Sequence, residues 1–180
     1  KKQPYDRVLG NEKASVTVVE YSSLSCHHCA DFHEKTLPEI EKKYVETGKV
    51  QFLVRPFPLN PSALSGAMLT MCAPEDKYYP FLKVLFSMQS KWAMSLDFKE
   101  SLKGIARVGG ISDEQFETCM KDKELEDKLI KMRSEATETL KIEATPTFFV
   151  NGEKLQGSAS VEAFSKLIDK HLSQGEEKSK

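Results

Sequence analysis

The sequence predicts an α/β fold in which an α-helical subdomain is inserted into a strand-containing domain. An apolar run at Val16–Tyr21 leads into a helical pattern, and a second set of strand patterns begins only at Thr147. Between them, residues 61–141 carry a succession of helical patterns and helix-capping residues. We therefore expect residues 1–60 and 142–180 to form one discontinuous domain, with residues 61–141 inserted into it.

The composition is that of a soluble globular protein, with 39% apolar and 29% charged residues in a chain of 180. A net charge of −1 gives no reason to expect binding to nucleic acid or to an anionic membrane surface. No apolar run reaches the length of a membrane span. Because the chain begins Lys1-Lys2-Gln3-Pro4 without Met, we expect that a signal sequence has been removed.

The first sixty residues predict a strand–helix–strand unit. Val16–Tyr21 is too apolar for a half-exposed strand and suits a central one. The apolar periodicity after it predicts a helix from Cys26 to about Thr47. Pro38 is expected to kink this helix and Gly48 to end it. The remaining expected strands are a minor one around Val8-Leu9 and a longer one over Val50–Phe57.

Capping residues divide the middle segment into helices. Asn60 followed by Pro61 predicts the first helix start, because Asn caps helices and Pro suits their first position. Two pairs resemble capping boxes, Asp97 with Glu100 and Ser112 with Gln115. A long helix with charged outer faces is expected from Leu125.

The last forty residues predict a hairpin, a helix and a tail. Asn151-Gly152 joins the strand patterns Thr147–Val150 and Glu153–Leu155, and this dipeptide is typical of a type I′ turn. Ser160 is expected to cap a final helix. The polar tail from Ser173 to Lys180 is expected to be disordered.

Cys26-His27-His28-Cys29 carries the chemistry that the sequence predicts. Cys26 falls at a helix N-terminus, where unpaired backbone N–H groups favour a thiolate, the form that attacks disulfides. Cys29 lies one turn further along and is expected to face the interior as the resolving thiol. A zinc half-site or a purely structural bridge is the alternative. A zinc site needs four ligands, however, and the chain has no second Cys-x-x-Cys, so we expect no metal.

Three features together resemble the DsbA-type thiol–disulfide oxidoreductases, which are bacterial, extracytoplasmic members of the thioredoxin superfamily. They are the Cys-x-His-Cys motif after an apolar strand, Glu20 six residues before Cys26, and the distant Thr145-Pro146. The resemblance extends over roughly residues 10–172 and implies a thioredoxin-like fold with an inserted α-helical subdomain. His33 stands in the helix where the family frequently has an acidic residue.

The two histidines between the cysteines are candidates for tuning Cys26. The His28 ring can approach the Cys26 sulfur, and either its neutral or its protonated form would lower the pKa of that thiol. A stabilised thiolate stabilises the reduced protein and makes the disulfide form a stronger oxidant. The alternative is that His27 and His28 are only solvated turn residues.

The resemblance also assigns roles to Glu20, Thr145 and Pro146. Glu20 would lie beneath the active-site helix and exchange a proton with Cys29; alternatively, it is an exposed acid at a strand end. Pro146 would follow a cis peptide bond beside the cysteine pair, and the Thr145 backbone would pair with an extended substrate. Alternatively, Pro146 is trans and simply starts a strand.

Cys72 and Cys119 form a distant pair, each within an apolar stripe of a different predicted helix. A disulfide between them would be structural and could stabilise the fold by about 4 kcal/mol through loop-closure entropy. Such a bond indicates an oxidising compartment. The alternative is two unpaired buried thiols.

The expected function is that of a soluble periplasmic thiol oxidase that works as a monomer and needs no cofactor beyond the Cys26–Cys29 disulfide. Its substrates would be reduced, unfolded exported proteins, and the family resemblance implies reoxidation by a quinone-linked membrane oxidase. An isomerase or a reductase of the same fold is one alternative. A metal-binding or holdase module whose cysteines do not cycle is another.

Overall fold

The computed structural model describes residues 2–156 and 159–180, which separate into two compact units. The sheet unit contains the chain up to Tyr21, Asp31–Arg55 and the described residues from Pro146 onward. The helical unit contains Ser22–Ala30 and Pro56–Thr145. The cysteine motif therefore groups with the helical segment, whereas the domain bounds predicted from the sequence place it with the strands.

The strands of the described residues are β1 (Val8–Gly10), β2 (Val16–Ser22), β3 (Val50–Pro56), β4 (Thr147–Val150) and β5 (Glu153–Lys154). Within this part of the chain, the five strands form one sheet in the spatial order β1-β3-β2-β4-β5. Pairing is antiparallel between β1 and β3, between β2 and β4, and between β4 and β5. Strands β2 and β3 are largely buried, as their apolar sequences predict.

The turn between β4 and β5 has the predicted conformation. Asn151 has φ 47° and Gly152 has φ 83°, which is the left-handed pair that a type I′ turn requires. The Asn151 side chain accepts a hydrogen bond from the Thr17 backbone N–H at 2.8 Å. The hairpin is thereby tied to the start of β2.

The helix that follows β2 runs from His27 to Val45 with two π-helical turns. Its α-helical parts are α1 (His27–Asp31) and α2 (Leu37–Ile40), and the π turns lie at Phe32–Thr36 and Glu41–Val45. Pro38 lacks an N–H group, and the first π turn ends two residues before it. Gly48 has φ 76° and follows the end of the helix, as predicted for a C-terminal cap.

Four phenylalanines form an aromatic cluster in the core of the sheet unit. Phe32 lies 4.5 Å from Phe148 and 5.5 Å from Phe164 between ring centroids, and stacks against Phe52 at 6.1 Å. Phe164 belongs to the last helix, α9 (Val161–Lys178), which Ser160 caps by accepting the Ala163 N–H. The expectation of disorder from Ser173 onward is wrong, because α9 continues to Lys178.

The helical unit contains six further α-helices and a short 3₁₀ turn. Asn60 caps the first of these helices, and Ser112 with Gln115 forms a capping box, as predicted. The box predicted at Asp97 is wrong: its side chain makes no cap hydrogen bond, and its ψ of 41° is far from the extended conformation of a capping residue. The helices are α3 (Pro61–Cys72), α4 (Tyr78–Ser87), α5 (Gln89–Trp92), α6 (Phe98–Val108), α7 (Asp113–Met120) and α8 (Lys123–Leu140).

Trp92 lies at the centre of this helical unit. Its side chain is fully buried, and its indole N–H donates to the Leu85 carbonyl at 2.8 Å. A Cβ atom at Gly66 would lie 3.0 Å from the Trp92 ring and 3.0 Å from Leu24, so α3 approaches both closely because this residue has no side chain. Trp92 is thus a core residue of the helical unit.

Cys72 and Cys119 are joined by a disulfide with an S–S distance of 2.09 Å. The bond links the end of α3 to α7 across 47 positions of sequence. Cys119 is buried and Cys72 is exposed.

Candidate active site

The turn before α1 places Cys26 as the N-cap of the active-site helix. The Cys26 backbone N–H donates to the Ser23 carbonyl at 3.1 Å, and the Cys26 carbonyl accepts the first intrahelical bond from Ala30 at 3.1 Å. N-cap residues normally accept a backbone N–H of the first turn with a side-chain oxygen. Here the Cys26 sulfur takes that place, because the Cys29 N–H donates to it at 3.2 Å.

The two thiols of the motif have different environments. In the structure both are thiols that are not joined in a disulfide. Cys29 is completely buried, whereas Cys26 is only partly buried. An incoming thiol or disulfide can therefore reach Cys26 much more readily than Cys29.

Hydrogen bonds lower the pKa of Cys26 to about 6. The largest contribution is the hydrogen bond from the Cys29 side chain, and partial burial opposes it. Smaller contributions come from the Thr145 side chain and from the backbone N–H groups of Cys29 and His28. At neutral pH, Cys26 is therefore mainly a thiolate.

Alkylation of the reduced protein is expected to show this ionisation directly. The rate of Cys26 modification by iodoacetamide should rise with pH around a midpoint near 6, because only the thiolate reacts. Peptide mapping by mass spectrometry assigns the label to Cys26. An ordinary thiol has its midpoint near pH 8.5, and a midpoint there would contradict the thiolate assignment.

The lowered pKa of Cys26 also determines the direction in which pH changes the stability of the reduced protein. The folded pKa of Cys26 lies below that of an unfolded cysteine. Its contribution to the stability of the reduced protein is therefore complete above the unfolded pKa, and it is lost as the pH falls through about 6.

His27 and His28 are both exposed, with ring centroids 6.0 Å apart. The contribution of His28 to the Cys26 thiolate comes from its backbone N–H. The predicted effect of the His28 ring on Cys26 stays a prediction, as does any role for His27.

Gln89 was not identified by the sequence analysis. Its side-chain amide nitrogen donates to the carbonyls of Leu24 at 2.8 Å and Cys26 at 2.9 Å. Gln89 is 63 positions from Cys26 and lies at the start of a four-residue helix. No local pattern marks such a contact, because the packing of the helical unit creates it.

Thr145 also lies beside Cys26. The Cys26 sulfur is 3.5 Å from the Thr145 carbonyl, to which the protonated thiol can donate. The Thr145 hydroxyl is buried and has no nitrogen or oxygen partner among the described residues. It therefore remains available to the thiolate. Pro146 follows and leads into β4; its predicted cis peptide bond stays a prediction.

Glu20 is a completely buried acid in the sheet unit, opposite Phe148 in the β2–β4 register. One carboxylate oxygen lies 2.7 Å from Nε2 of His33, whose side chain is only 6% exposed. The other oxygen is buried and makes no hydrogen bond within the described chain. Because Glu20 is fully buried, it is not the exposed strand-end acid considered as an alternative. Its pairing with His33 was not predicted.

Within residues 2–156 and 159–180, no three His, Cys, Asp or Glu side chains are grouped so that they could hold a metal ion. The described helices include none that combines the length and the apolar character needed to cross a membrane.

Comparisons with known proteins agree with this geometry. A sequence profile of the family described as Thioredoxin matches residues 2–170. A Rickettsia felis protein whose name describes it as a protein-disulfide oxidoreductase is 36% identical over 97% of this chain, which spans 63% of that protein. The disulfide bond formation protein D of Bacillus subtilis is 27% identical over 92% of the chain and 76% of its own length.

A crystal structure gives the same result. The alpha-DsbA1 structure of Wolbachia pipientis superposes with a TM-score of 0.91 at 33% identity, covering 99% of this chain and 96% of that one. The predicted thioredoxin-like α/β fold and the resemblance to DsbA-type proteins are thereby confirmed.

Proposed function

Because this chain belongs to the thioredoxin family, within its DsbA-type branch, we propose that it is a thiol–disulfide oxidoreductase that donates its Cys26–Cys29 disulfide to reduced cysteines. The observation that carries the proposal is the hydrogen-bonded Cys26 thiolate, with a pKa of about 6, paired with a completely buried Cys29. The accessible sulfur receives the substrate and the buried sulfur leaves.

The proposed reaction consists of two thiol–disulfide exchanges. A substrate thiolate attacks Cys26 Sγ of the disulfide form, so that a substrate–Cys26 disulfide forms and Cys29 leaves as a thiolate that takes up a proton. A second substrate thiolate then attacks the substrate sulfur of this mixed disulfide. The substrate gains a disulfide, Cys26 leaves as a thiolate, and two electrons have passed from the substrate to the protein.

The stabilised thiolate also determines the favoured direction. Hydrogen bonds to the Cys26 thiolate stabilise the reduced protein, and the same donors bind the neutral sulfur of a disulfide more weakly. Each tenfold increase in the equilibrium constant for reduction of the protein raises its reduction potential by about 30 mV. The arrangement therefore favours oxidation of substrates over their reduction.

We further propose that Glu20 exchanges the Cys29 proton. His33 holds one Glu20 oxygen and follows Cys29 by four residues, which is about one helical turn. The second oxygen remains buried without a partner in the described part of the chain. A carboxylate in this condition is suited to accept the proton when Cys29 becomes a nucleophile.

Glu20→Gln is expected to slow reoxidation of the reduced protein by glutathione disulfide by about a hundredfold, the usual scale of general-base catalysis. The affected step is the attack of Cys29 on the Cys26–glutathione disulfide, which quenched-flow alkylation resolves. Glu34→Gln, which changes an exposed acid on the helix that carries Cys29 and His33, is the matched control. Equal resolution rates in the two variants would rule out this role for Glu20.

The proposed substrates are reduced, unfolded exported proteins, and the proposed location is the periplasm. Reoxidation is proposed to use a quinone-linked membrane oxidase. These are proposals for the whole protein, since the chain spans only 63% of the Rickettsia felis relative. An isomerase or reductase would share the exchange chemistry, but its net product would differ.

The experiment that tests the function mixes the oxidised protein with a peptide that contains two reduced cysteines. We expect one equivalent of peptide disulfide per protein, with Cys26 and Cys29 reduced, as measured by alkylation and mass spectrometry. Rearrangement of a mispaired peptide without net oxidation would indicate an isomerase. No exchange at either cysteine would contradict the proposal.

A further inference from the structure

We infer that Gln89 is a positioning residue for Cys26. Its side-chain amide nitrogen donates to the carbonyls of Leu24 and Cys26, at 2.8 and 2.9 Å. The amide has two hydrogens, so both are used on the turn that presents the nucleophile. The inference deepens the proposed function, on which its catalytic consequence rests.

The two hydrogen bonds fix the backbone on both sides of Ser25. Leu24 is buried, and its carbonyl obtains a donor from Gln89. The Cys26 carbonyl accepts one hydrogen bond from the Gln89 side-chain amide and another from the Ala30 N–H, which is the first hydrogen bond of the helix. The orientation of the peptide group that follows Cys26 is therefore held from two directions.

That orientation keeps the Cys26 sulfur in its capping position. The sulfur accepts the Cys29 N–H at 3.2 Å only while Cys26 has the conformation of an N-cap residue. Without Gln89, the Leu24–Cys26 backbone can rotate away from this conformation. The thiolate is then hydrogen-bonded to the N–H groups of the first helical turn for a smaller fraction of the time. The protonated thiol becomes relatively more stable as a result.

Gln89 is itself held by a rigid element. It begins α5, which ends at the completely buried Trp92. The indole of Trp92 is bonded to the Leu85 carbonyl, and the carbonyl of Ala93, the next residue, accepts from Ser62 at 2.8 Å. These contacts fix the origin of the Gln89 side chain, so the core of the helical unit positions the nucleophile through one amide.

Two substitutions separate hydrogen bonding from shape. Gln89→Met keeps the length of the side chain and removes both donors. Gln89→Glu keeps the shape and places acceptor oxygens against two carbonyl oxygens, so its effect should be larger. Ser90→Ala, at the exposed neighbouring position of α5, is the matched control.

The test measures the pH profile of Cys26 alkylation and the redox equilibrium with glutathione for each protein. Gln89→Met is expected to lower thiolate reactivity at pH 5 by about threefold to tenfold, the scale of one neutral hydrogen bond. Its disulfide form should become a weaker oxidant by the same factor. Both effects should be larger in Gln89→Glu and absent in Ser90→Ala. A residue that only supported folding would change thermal stability without this ordered shift of both quantities.

The outcomes distinguish this inference from the proposed function. Unchanged pH profiles and equilibria in folded Gln89→Met and Gln89→Glu would overturn the inference, even if the unmodified protein oxidises the dithiol peptide. Failure of the unmodified protein to oxidise that peptide would contradict the function instead. If both variants fail to fold, hydrogen exchange of the Gln89 side-chain amide in the unmodified protein decides: slow exchange supports the inference and free exchange overturns it.

Discussion

Replacing Cys26 with serine is expected to reduce dithiol oxidation to the rate of the uncatalysed reaction. The variant can form no Cys26–Cys29 disulfide, and a hydroxyl at this position cannot enter thiol–disulfide exchange. The buried Cys29 cannot replace the lost sulfur, because it is completely inaccessible to solvent. Oxidation of a dithiol peptide, followed by mass spectrometry, measures the loss.

Cys29→Ser provides the matched control, because it keeps the accessible thiol and removes only the resolving one. Loaded at Cys26 as a mixed disulfide with glutathione, this variant should pass the bond to a peptide thiol but be unable to release glutathione by itself. Cys29→Ala, which removes the side-chain donor altogether, should also have a higher Cys26 pKa, since the Cys29 side chain makes the largest contribution to lowering it. Normal peptide oxidation by Cys26→Ser would contradict the assignment of Cys26 as the nucleophile.

Removing the Cys72–Cys119 disulfide is expected to lower the free energy of unfolding by about 2 to 4 kcal/mol. The bond constrains the unfolded chain across 47 positions and joins α3 to α7 in the folded one. Denaturant unfolding of Cys72→Ala/Cys119→Ala, with Cys26 and Cys29 oxidised in both proteins, measures the difference.

The small volume of alanine in place of Cys119 also leaves a space in the core, so a second reference is needed. Reduction breaks the Cys72–Cys119 bond without changing either of its side chains. The measurement is made in Cys26→Ser/Cys29→Ser, so that reduction of the active-site pair does not contribute to the difference. If the two measurements agree, the loss of unfolding free energy is due to the missing crosslink. Equal stability with and without the bond would contradict a structural role for it.

Short sequence patterns predicted much of the fold, because each of them acts on residues that are only a few positions apart. Asn151-Gly152 determines a type I′ turn, since both positions need positive φ. Asn60 and the Ser112–Gln115 pair satisfy N–H groups within one helical turn. The cysteine motif is also local, and together with Glu20 and Thr145-Pro146 it identified the family that the structural comparison confirmed.

Two local predictions failed for different physical reasons. Ser95 accepts the Asp97 backbone N–H at 3.1 Å, and Asp97 has φ −106° and ψ 41°, so its backbone is not that of a capping residue. The tail after Ser173 continues α9 through residues with good helix propensity, such as Gln174, Glu176 and Glu177. Its polarity was mistaken for disorder.

The site contacts made by distant residues could not be predicted from the sequence. Gln89 reaches Cys26 across 63 positions, and the pairing of Glu20 with His33 depends on the helix packing against β2. Nothing in a local pattern distinguishes Gln89 from any other polar residue at the start of a helix. Tertiary packing alone gives these side chains their partners.

The redox equilibrium of the Cys26–Cys29 pair with glutathione tests the central claim most directly. Alkylation and mass spectrometry of samples at defined ratios of reduced to oxidised glutathione give the fraction of each form. The stabilised thiolate predicts a relatively oxidising pair that is substantially reduced even in buffers rich in glutathione disulfide. A strongly reducing pair, with Cys26 ionising like an ordinary thiol, would contradict the claim and indicate a reductase.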